Sequence, residues 1–240
     1  MKCLHRVALF LFLFPPLFAP SSFAQTPTQG PPERAIINFI VPITPDTVNL
    51  LIGIVNAQVR NGTKKITIAI ASSGGDPASG FAAYNILKNI PAEITTFNTG
   101  NIDSAAMLIY CAGKHRYSLP APTRFLIHSV ALNPITTNFP VDRSFLETQL
   151  AQINSLNQVM VQVIKENSKK TQTEIESAVI AQTILSPEQA KEWGIVQEIR
   201  PTFMEPGAVF VAVDNPAEKP QKSKSSLYTT ENPVVSTAPK

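Results

Sequence analysis

Between about residues 35 and 200, short apolar runs alternate with segments whose apolar residues recur every three or four positions. The short runs are rich in β-branched residues and predict strands. They cover residues 35–41, 65–71, 93–98, 116–119, 124–127 and 195–199. A chain in which strands and helices alternate forms mostly parallel strand pairs, because each crossover carries a helix. The pattern therefore predicts an α/β fold.

Several of the helical segments begin with recognisable signals. Thr44 precedes Pro45 and Ser186 precedes Pro187, so each helix has a capping hydroxyl followed by a proline in its first turn. Residues 143–169 contain no glycine or proline and predict one long helix. The remaining predicted helices cover residues 79–90, 104–112 and 173–181.

Both ends of the chain differ in composition from this central part. Residues 1–24 have a basic start, an apolar run and small residues at the end, which is typical of a secretory signal peptide cleaved after Ala24. An uncleaved membrane anchor is the alternative, although the apolar run is short for a spanning helix. Residues 25–34 are typical of a linker. Residues 201–240 are rich in Pro, Ser and Lys, and we expect this tail to be disordered, its second half above all. We therefore predict an exported protein, periplasmic or secreted, with one folded domain over residues 35–200 and no transmembrane segment after cleavage.

Charge and cysteine content exclude several classes of function. Cleavage removes Lys2 and Arg6 and lowers the formal charge from +3 to about +1, so we expect no nucleic-acid partner. Cys111 remains as a lone cysteine in an apolar segment and is predicted to be a core residue. His115 is predicted to lie on a solvated turn. Two histidines and one cysteine are too few for a metal cluster, and we expect no metal or other cofactor.

Ser104 and His128 are the candidate catalytic residues. A serine that follows a glycine turn and begins an apolar helix can act as a nucleophile, and a histidine at the end of a strand can act as its base. The amides of Gly75, after a buried strand, and of Ala105 could form an oxyanion hole. Each feature also has an ordinary explanation. Ser104 or Asp103 could cap a helix, the glycines could form a tight turn, and His128 could be a structural histidine.

Taken in order, these segments resemble the proteolytic subunit of Clp protease, within the larger Clp/crotonase fold. The segments are Ser-Ser-Gly-Gly, Gly-Asn-Ile-Asp-Ser-Ala-Ala-Met, Ala-Gly-Lys-His-Arg-Tyr-Ser-Leu-Pro, Arg-Phe-Leu-Ile-His-Ser, a long helix and Ile-Leu-Ser-Pro-Glu-Gln-Ala-Lys-Glu-Trp-Gly-Ile-Val. The resemblance covers about residues 36–200. It implies stacked ββα units, a long handle helix and homo-oligomeric rings that cleave peptides or unfolded protein segments. It assigns Ser104 as nucleophile, His128 as general base, and Gly75 and Ala105 as the oxyanion-hole amides.

The sequence departs from this family at several positions. The family's triad acid corresponds to Gln182, which can accept the histidine N–H but cannot supply a negative charge. Asp142, Glu174 or Glu176 could take its place. The glycine-rich segment expected after the histidine is replaced by Ala-Leu-Asn-Pro at residues 131–134. The N-terminal part is short and an exported protein has no ATP supply, so we expect no ATP-driven unfoldase as a partner.

The leading hypothesis is an exported, ATP-independent serine peptidase that forms an acyl-enzyme on Ser104. The alternative is a catalytically impaired relative that binds peptide or assembles without turnover, because Gln182 replaces the acid. Crotonase-type acyl-CoA chemistry and a membrane protease with a serine–lysine dyad also remain open.

Overall fold

The computed structural model describes residues 33–131 and 140–214. The predicted signal peptide and nearly all of the predicted linker lie outside these ranges, and so do residues 132–139 and 215–240. The strands are β1 (Arg34–Phe39), β2 (Lys65–Ser72), β3 (Glu93–Asp103), β4 (His115–Ser118), β5 (Arg124–Ile127), β6 (Thr183–Leu185), β7 (Glu198–Ile199) and β8 (Val209–Ala212). The helices are α1 (Pro45–Arg60), α2 (Pro77–Asn89), α3 (Ala106–Cys111), α4 (Arg143–Glu166), α5 (Gln172–Ile180) and α6 (Pro187–Glu192).

The strands form one sheet with the order β6-β5-β3-β2-β1-β8, and β4 pairs with β3 and β7. All pairs are parallel except β5 with β6. Strand β3 pairs first with β4 and then, from Asn101 to Asp103, with β5. The α/β prediction is confirmed. The long β3 strand carries the chain to Ser104 at the point where β5 also ends.

Helix α3 lies in the centre of the core. All of its residues are buried, including the bulky Tyr110. The Tyr110 ring packs edge-on against the Phe125 ring, with 5.2 Å between the ring centroids. Burial raises the pKa of the Cys111 thiol to about 11, which keeps the thiol protonated and inert at neutral pH. The structure thus places Cys111 where the sequence predicted it, in the core.

Helix α4 is buried only near its C-terminal end. Its buried residues are Met160, Val161, Val163 and Ile164. Leu146 and Leu150 are 56% and 57% exposed. Both lie more than two helical turns before Met160. The first half of the helix therefore leaves the core of the chain, as the predicted long handle would. None of the helices over the described ranges is long and apolar enough to cross a membrane.

The structure corrects the expected glycine turn before Ser104. Strand β3 does not end at Asn98 but continues through Gly100 to Asp103. Gly100 lies where β3 approaches β2 closely, since a Cβ added there would be 3.1 Å from the Cβ of Ala71. A glycine in a strand can serve such a close approach as well as a turn, and sequence alone does not distinguish the two.

Two short strands were not predicted from the sequence. Strand β6 has three residues, and β8 has four residues in a segment that we assigned to the C-terminal tail. Strand β8 pairs in parallel with β1, so residues 201–214 include part of the sheet. Such short runs give little periodicity, and long-range pairing decides their structure.

Arg116 joins three segments of the fold through backbone carbonyls. Its guanidinium donates to the carbonyls of Gly113, Asn167, Gly194 and Ile195 at 2.9–3.5 Å. These carbonyls belong to the ends of α3 and α4 and to the loop after α6. The bonds hold the loop after α6 against the ends of α3 and α4.

Replacing Arg116 with alanine is expected to lower the free energy of unfolding by about 3 kcal/mol, because several carbonyls lose a charged donor. Urea unfolding measures this change. Lys114→Ala is the control, since Lys114 is 69% exposed and makes only a 3.5 Å ion pair with Glu93. Equal urea midpoints for the two variants would contradict the role given to Arg116.

Candidate active site

Ser104 lies in a sharp turn between β3 and α3. Its φ angle is +56°, in the left-handed region that non-glycine residues rarely adopt. The turn is held on both sides, because the Ser104 amide donates to the carbonyl of Leu126 at 2.9 Å and the Ser104 carbonyl accepts from Met107 at 3.0 Å. A strained serine between a strand and a helix is an arrangement that can expose its Oγ to a substrate.

The structure does not use Ser104 as a helix cap. Ala105 occupies the N-cap position of α3 and makes no side-chain cap hydrogen bond. The Asp103 carboxylate is also engaged elsewhere, since it accepts from Asn101 Nδ2 at 2.8 Å and from Arg124 at 2.9 Å. The capping explanation, which the sequence had left open, is therefore wrong for both residues.

The pairing of β5 with β3 brings His128 to the same cavity as Ser104. In this register Asp103 lies opposite Leu126, which is the last residue of β5 that pairs with β3. His128 follows Leu126 by two residues. Ser104 and His128 line the same cavity of about 190 Å³, and His128 is half-buried. The other described residues that line it are Ser73, Gly75, Pro77, Val130 and Ala131.

Among the described residues, two backbone amides near Ser104 have no hydrogen-bond acceptor. The amide of Gly74 donates to Ser72 Oγ at 3.2 Å, and the amide of Asp76 donates to the carbonyl of Ile43 at 2.9 Å. Within the described ranges, the amide of Gly75 between them donates to no acceptor, and the same holds for the amide of Ala105. Free amides beside a serine are the donors that an oxyanion hole requires.

The glycine turn and the serine turn touch each other. A Cβ added to Gly74 would lie 2.8 Å from Ser104 Cβ and 3.0 Å from the Ala105 amide nitrogen. Gly74 and Gly75 have φ angles of +83° and +145°, which glycine adopts at little cost. The two glycines thus permit a contact that brings the Gly75 amide to the cavity shared by Ser104 and His128.

Gly75→Ala is expected to reduce peptide hydrolysis about 100- to 1000-fold, because it displaces the Gly75 amide and the loss of one oxyanion donor usually has an effect of this size. The added Cβ would lie 2.2 Å from the Ile43 carbonyl oxygen, so the turn must shift. Steady-state kinetics measures the loss. Gly53→Ala is the matched control, because Gly53 is exposed on α1 and a Cβ there meets nothing within 4 Å. A full rate in Gly75→Ala would contradict the assignment.

The pairing of β5 with β6 ends one position before His128 and Gln182. Ile127 lies opposite Thr183 in the antiparallel β5–β6 pair, so the next opposing positions are His128 and Gln182. Gln182 is exposed and has a φ angle of +53°. In the part of the chain that the structure describes, no hydrogen bond joins Gln182 and His128. Gln182 is thus the position that the register sets opposite His128, just beyond the last paired residues of the two strands.

The acids that could have replaced Gln182 are used elsewhere. Asp142 caps α4 by accepting from the Phe145 amide at 2.8 Å. Glu174 caps α5, and its hydrogen bonds with Lys170 and Thr171 lower its pKa to about 2. Glu176 accepts from Gln172 Nε2 at 2.8 Å on the same helix. None of these acids bonds to His128, so the structure gives no support to their substitution for the triad acid.

Metal ligation is not suggested by the described residues. Over residues 33–131 and 140–214, no group of three His, Cys, Asp or Glu side chains is placed to hold an ion. The prediction that His115 lies on a solvated turn is wrong. It lies half-buried on β4, 3.7 Å from Glu93 and stacked on Tyr117.

Two residues near the site were not predicted from sequence. The Asp103 carboxylate is buried directly before Ser104, and its Oδ1 has no hydrogen-bond partner in the described part of the chain. Asn157 on α4 accepts the amide of Val130 at 2.8 Å, close to His128. The Asp103–Arg124 ion pair and the Val130–Asn157 hydrogen bond each join residues more than twenty positions apart, and no local sequence pattern signals them.

The fold and site define an α/β protein with the arrangement of a serine hydrolase, in which a strand-to-helix serine, a histidine and Gly75 line one cavity. The chain belongs to the Clp protease family, whose model matches residues 32–202.

Individual relatives agree with this membership. The chain is 31% identical over 137 residues to the ATP-dependent Clp protease proteolytic subunit 1 of Rhodococcus jostii, a match that covers 57% of this chain and 60% of the relative. It is 29% identical over 138 residues to the proteolytic subunit 2 of Borreliella burgdorferi, covering 57% and 67%. The chain thus spans about 60% of the length of the Rhodococcus relative.

A solved structure shows the same fold. A mutant of ClpP1 from Listeria monocytogenes superposes with a TM-score of 0.61 at 24% identity, covering 70% of this chain and 92% of that chain. The expected Clp-type α/β architecture is therefore present. The glycine-rich segment that the family would place after His128 corresponds to residues 131–134, of which 132–134 lie outside the described residues.

Proposed function

We propose that this protein is an exported, ATP-independent serine peptidase that hydrolyses peptides or unfolded segments. The observation that carries the proposal is the shared cavity, where Ser104 in a strained turn, His128 and the acceptor-free amide of Gly75 meet. Membership of the Clp protease family supports the reaction type.

In the first half of the reaction, His128 removes the Ser104 hydroxyl proton while Oγ attacks the peptide carbonyl carbon. The negative oxygen of the tetrahedral intermediate is held by the amides of Gly75 and Ala105. Collapse of the intermediate breaks the C–N bond, and His128 gives its proton to the leaving amine. The acyl group remains on Ser104 as an ester.

In the second half, His128 removes a proton from water, and the hydroxide attacks the ester carbonyl. The ester bond to Ser104 breaks, and His128 returns the proton to Oγ. A new carboxylic acid leaves and the enzyme is restored. Because Gln182 lies at the acid position, it can accept the histidine N–H and hold the ring, but it adds no charge to stabilise the imidazolium.

Self-association is part of this proposal. Clp proteases form homo-oligomeric rings, and the half of α4 that leaves the core exposes Leu146 and Leu150. An exposed apolar stripe of this kind favours burial against another subunit. The relatives' names include ATP dependence, but export would separate this chain from ATP. We therefore propose ring assembly without an ATP-driven unfoldase.

The substrate class is tested with protein that lacks residues 1–24. Fluorogenic peptides and a chemically unfolded protein should be cleaved at rates that added ATP does not change, and the same protein in folded form should resist cleavage. Ser104 lies in a cavity of about 190 Å³, which an extended segment enters more readily than a folded surface does. The proposal would be overturned by a well-folded sample that cleaves none of these substrates.

Export is tested by fractionating cells of the source organism. We expect the protein outside the cytoplasm, with an N-terminus that begins after Ala24. Full-length protein in the membrane fraction would support the anchor in place of a cleaved signal. Cytoplasmic protein of full length would contradict export.

Catalytic impairment is the second candidate function, and the uncharged Gln182 beside His128 favours it. A protein of this kind would bind peptides without cleaving them. Saturable peptide binding, with no product after long incubation, would support this candidate over the peptidase.

A further inference from the structure

A single hydrogen bond ties the segment after His128 to the long helix. The backbone amide of Val130 donates to Asn157 Oδ1 at 2.8 Å, across 27 positions of sequence. Val130 is buried, with 8% exposure, and it lines the cavity together with Ala131, Ser104 and His128. The bond therefore acts on a wall of the candidate active site.

This bond matters because the sheet no longer holds the chain at His128. The ladder of β5 with β3 ends at Leu126, and the ladder of β5 with β6 ends at Ile127. Within the described residues, the Asn157 contact is the only hydrogen bond made by the backbone of residues 128–131. The position of this segment thus depends on a side chain of another element.

Asn157 is itself well placed to act as a fixed support. It precedes Met160, the first of the buried residues of α4, so it lies where this helix enters the core. It is half-buried, whereas its neighbour Gln158 is exposed. A side chain on a packed helix holds its partner more firmly than a loop residue could.

We propose that Asn157 is a positioning residue for the reaction. By accepting the Val130 amide, it fixes the segment that carries His128 and forms the cavity wall, so that the imidazole stays in reach of Ser104. A displacement of about 1 Å at a reacting group can cost a factor of about 100 in rate. This inference rests on the proposed peptidase function.

The test compares Asn157→Leu with Asn157→Asp. Leucine has nearly the same shape but no acceptor, and we expect it to lower kcat about 10- to 100-fold with a smaller change in KM. Aspartate retains an acceptor oxygen and should keep most of the activity. Gln158→Ala is the matched control on the same helix and should behave as the wild type.

The decisive readout is the rate at which a fluorophosphonate labels Ser104, expressed per folded molecule. Asn157→Leu should be labelled about 10- to 100-fold more slowly than the wild type, and the Val130 amide should exchange with deuterium faster. Labelling at the wild-type rate in folded Asn157→Leu would overturn the positioning role and leave the peptidase proposal intact. An unlabelled wild type would overturn both.

Discussion

Replacing Ser104 with alanine is expected to abolish peptide hydrolysis, with a loss of about 10⁵-fold or more, because no acyl-enzyme can form. The residue lies at the end of β3 with a φ angle of +56°, and its side chain makes no hydrogen bond within the described part of the chain. It therefore contributes little to folding through its hydroxyl. The variant should keep the circular dichroism spectrum and urea midpoint of the wild type while the rate falls to background.

Ser73 provides a demanding control for this experiment. It lines the same cavity as Ser104, so Ser73→Ala removes a hydroxyl from the same space. Ser73 lies in the turn between β2 and α2, whereas Ser104 lies in the turn between β3 and α3 and is followed by the amide of Ala105. We expect Ser73→Ala to retain activity within about tenfold of the wild type. Loss of activity in Ser73→Ala with retention in Ser104→Ala would assign the nucleophile to Ser73.

Introducing a carboxylate at residue 182 is expected to have the opposite effect. Gln182→Asp should raise kcat/KM by about 10- to 100-fold, because a negative charge beside His128 stabilises the imidazolium that forms in the transition state. The register of β5 and β6, continued by one position, sets the two residues opposite each other, and no acid bonds to His128 in the described ranges. Gln182→Glu has the length of the original side chain and tests whether the reach of the acid matters. Steady-state kinetics on one fluorogenic peptide compares these variants.

Gln158→Glu is the control for the added charge, because Gln158 is exposed on α4 away from the cavity lining. It should leave the rate unchanged. An unchanged rate in both Gln182 variants would mean that another group already stabilises His128. A reduced rate in both would mean that the amide of Gln182 has a role that a carboxylate cannot fill.

Much of the fold could be predicted because local signals and long-range structure agree. Thr44 and Ser186, which the sequence predicted as caps, each cap a helix through their side-chain oxygens. The strand over residues 124–127 has the predicted bounds. Gly100 is the instructive exception. A glycine near polar residues suggests a turn, but here it lets β3 pass close to β2, and that requirement arises only when the strands pair.

The candidate site was predictable in its parts and not in its arrangement. Ser104, His128 and Gly75 could be selected from their local patterns and their order, as the family resemblance indicated. The position of Gln182 depends on β6, a strand of three residues with no detectable periodicity. The role of Asn157 was harder still to predict from the sequence. Nothing around it marks a contact with Val130, because the partner is chosen by the packing of α4.

The central claim is that Ser104 is an activated nucleophile, and covalent labelling tests it most directly. The folded protein without residues 1–24 is incubated with a fluorophosphonate, digested and examined by mass spectrometry. We predict that one adduct forms on Ser104, that Ser104→Ala carries none, and that His128→Ala is labelled far more slowly. An intact, well-folded protein that carries no adduct on Ser104, or that is labelled equally fast without His128, would contradict the account.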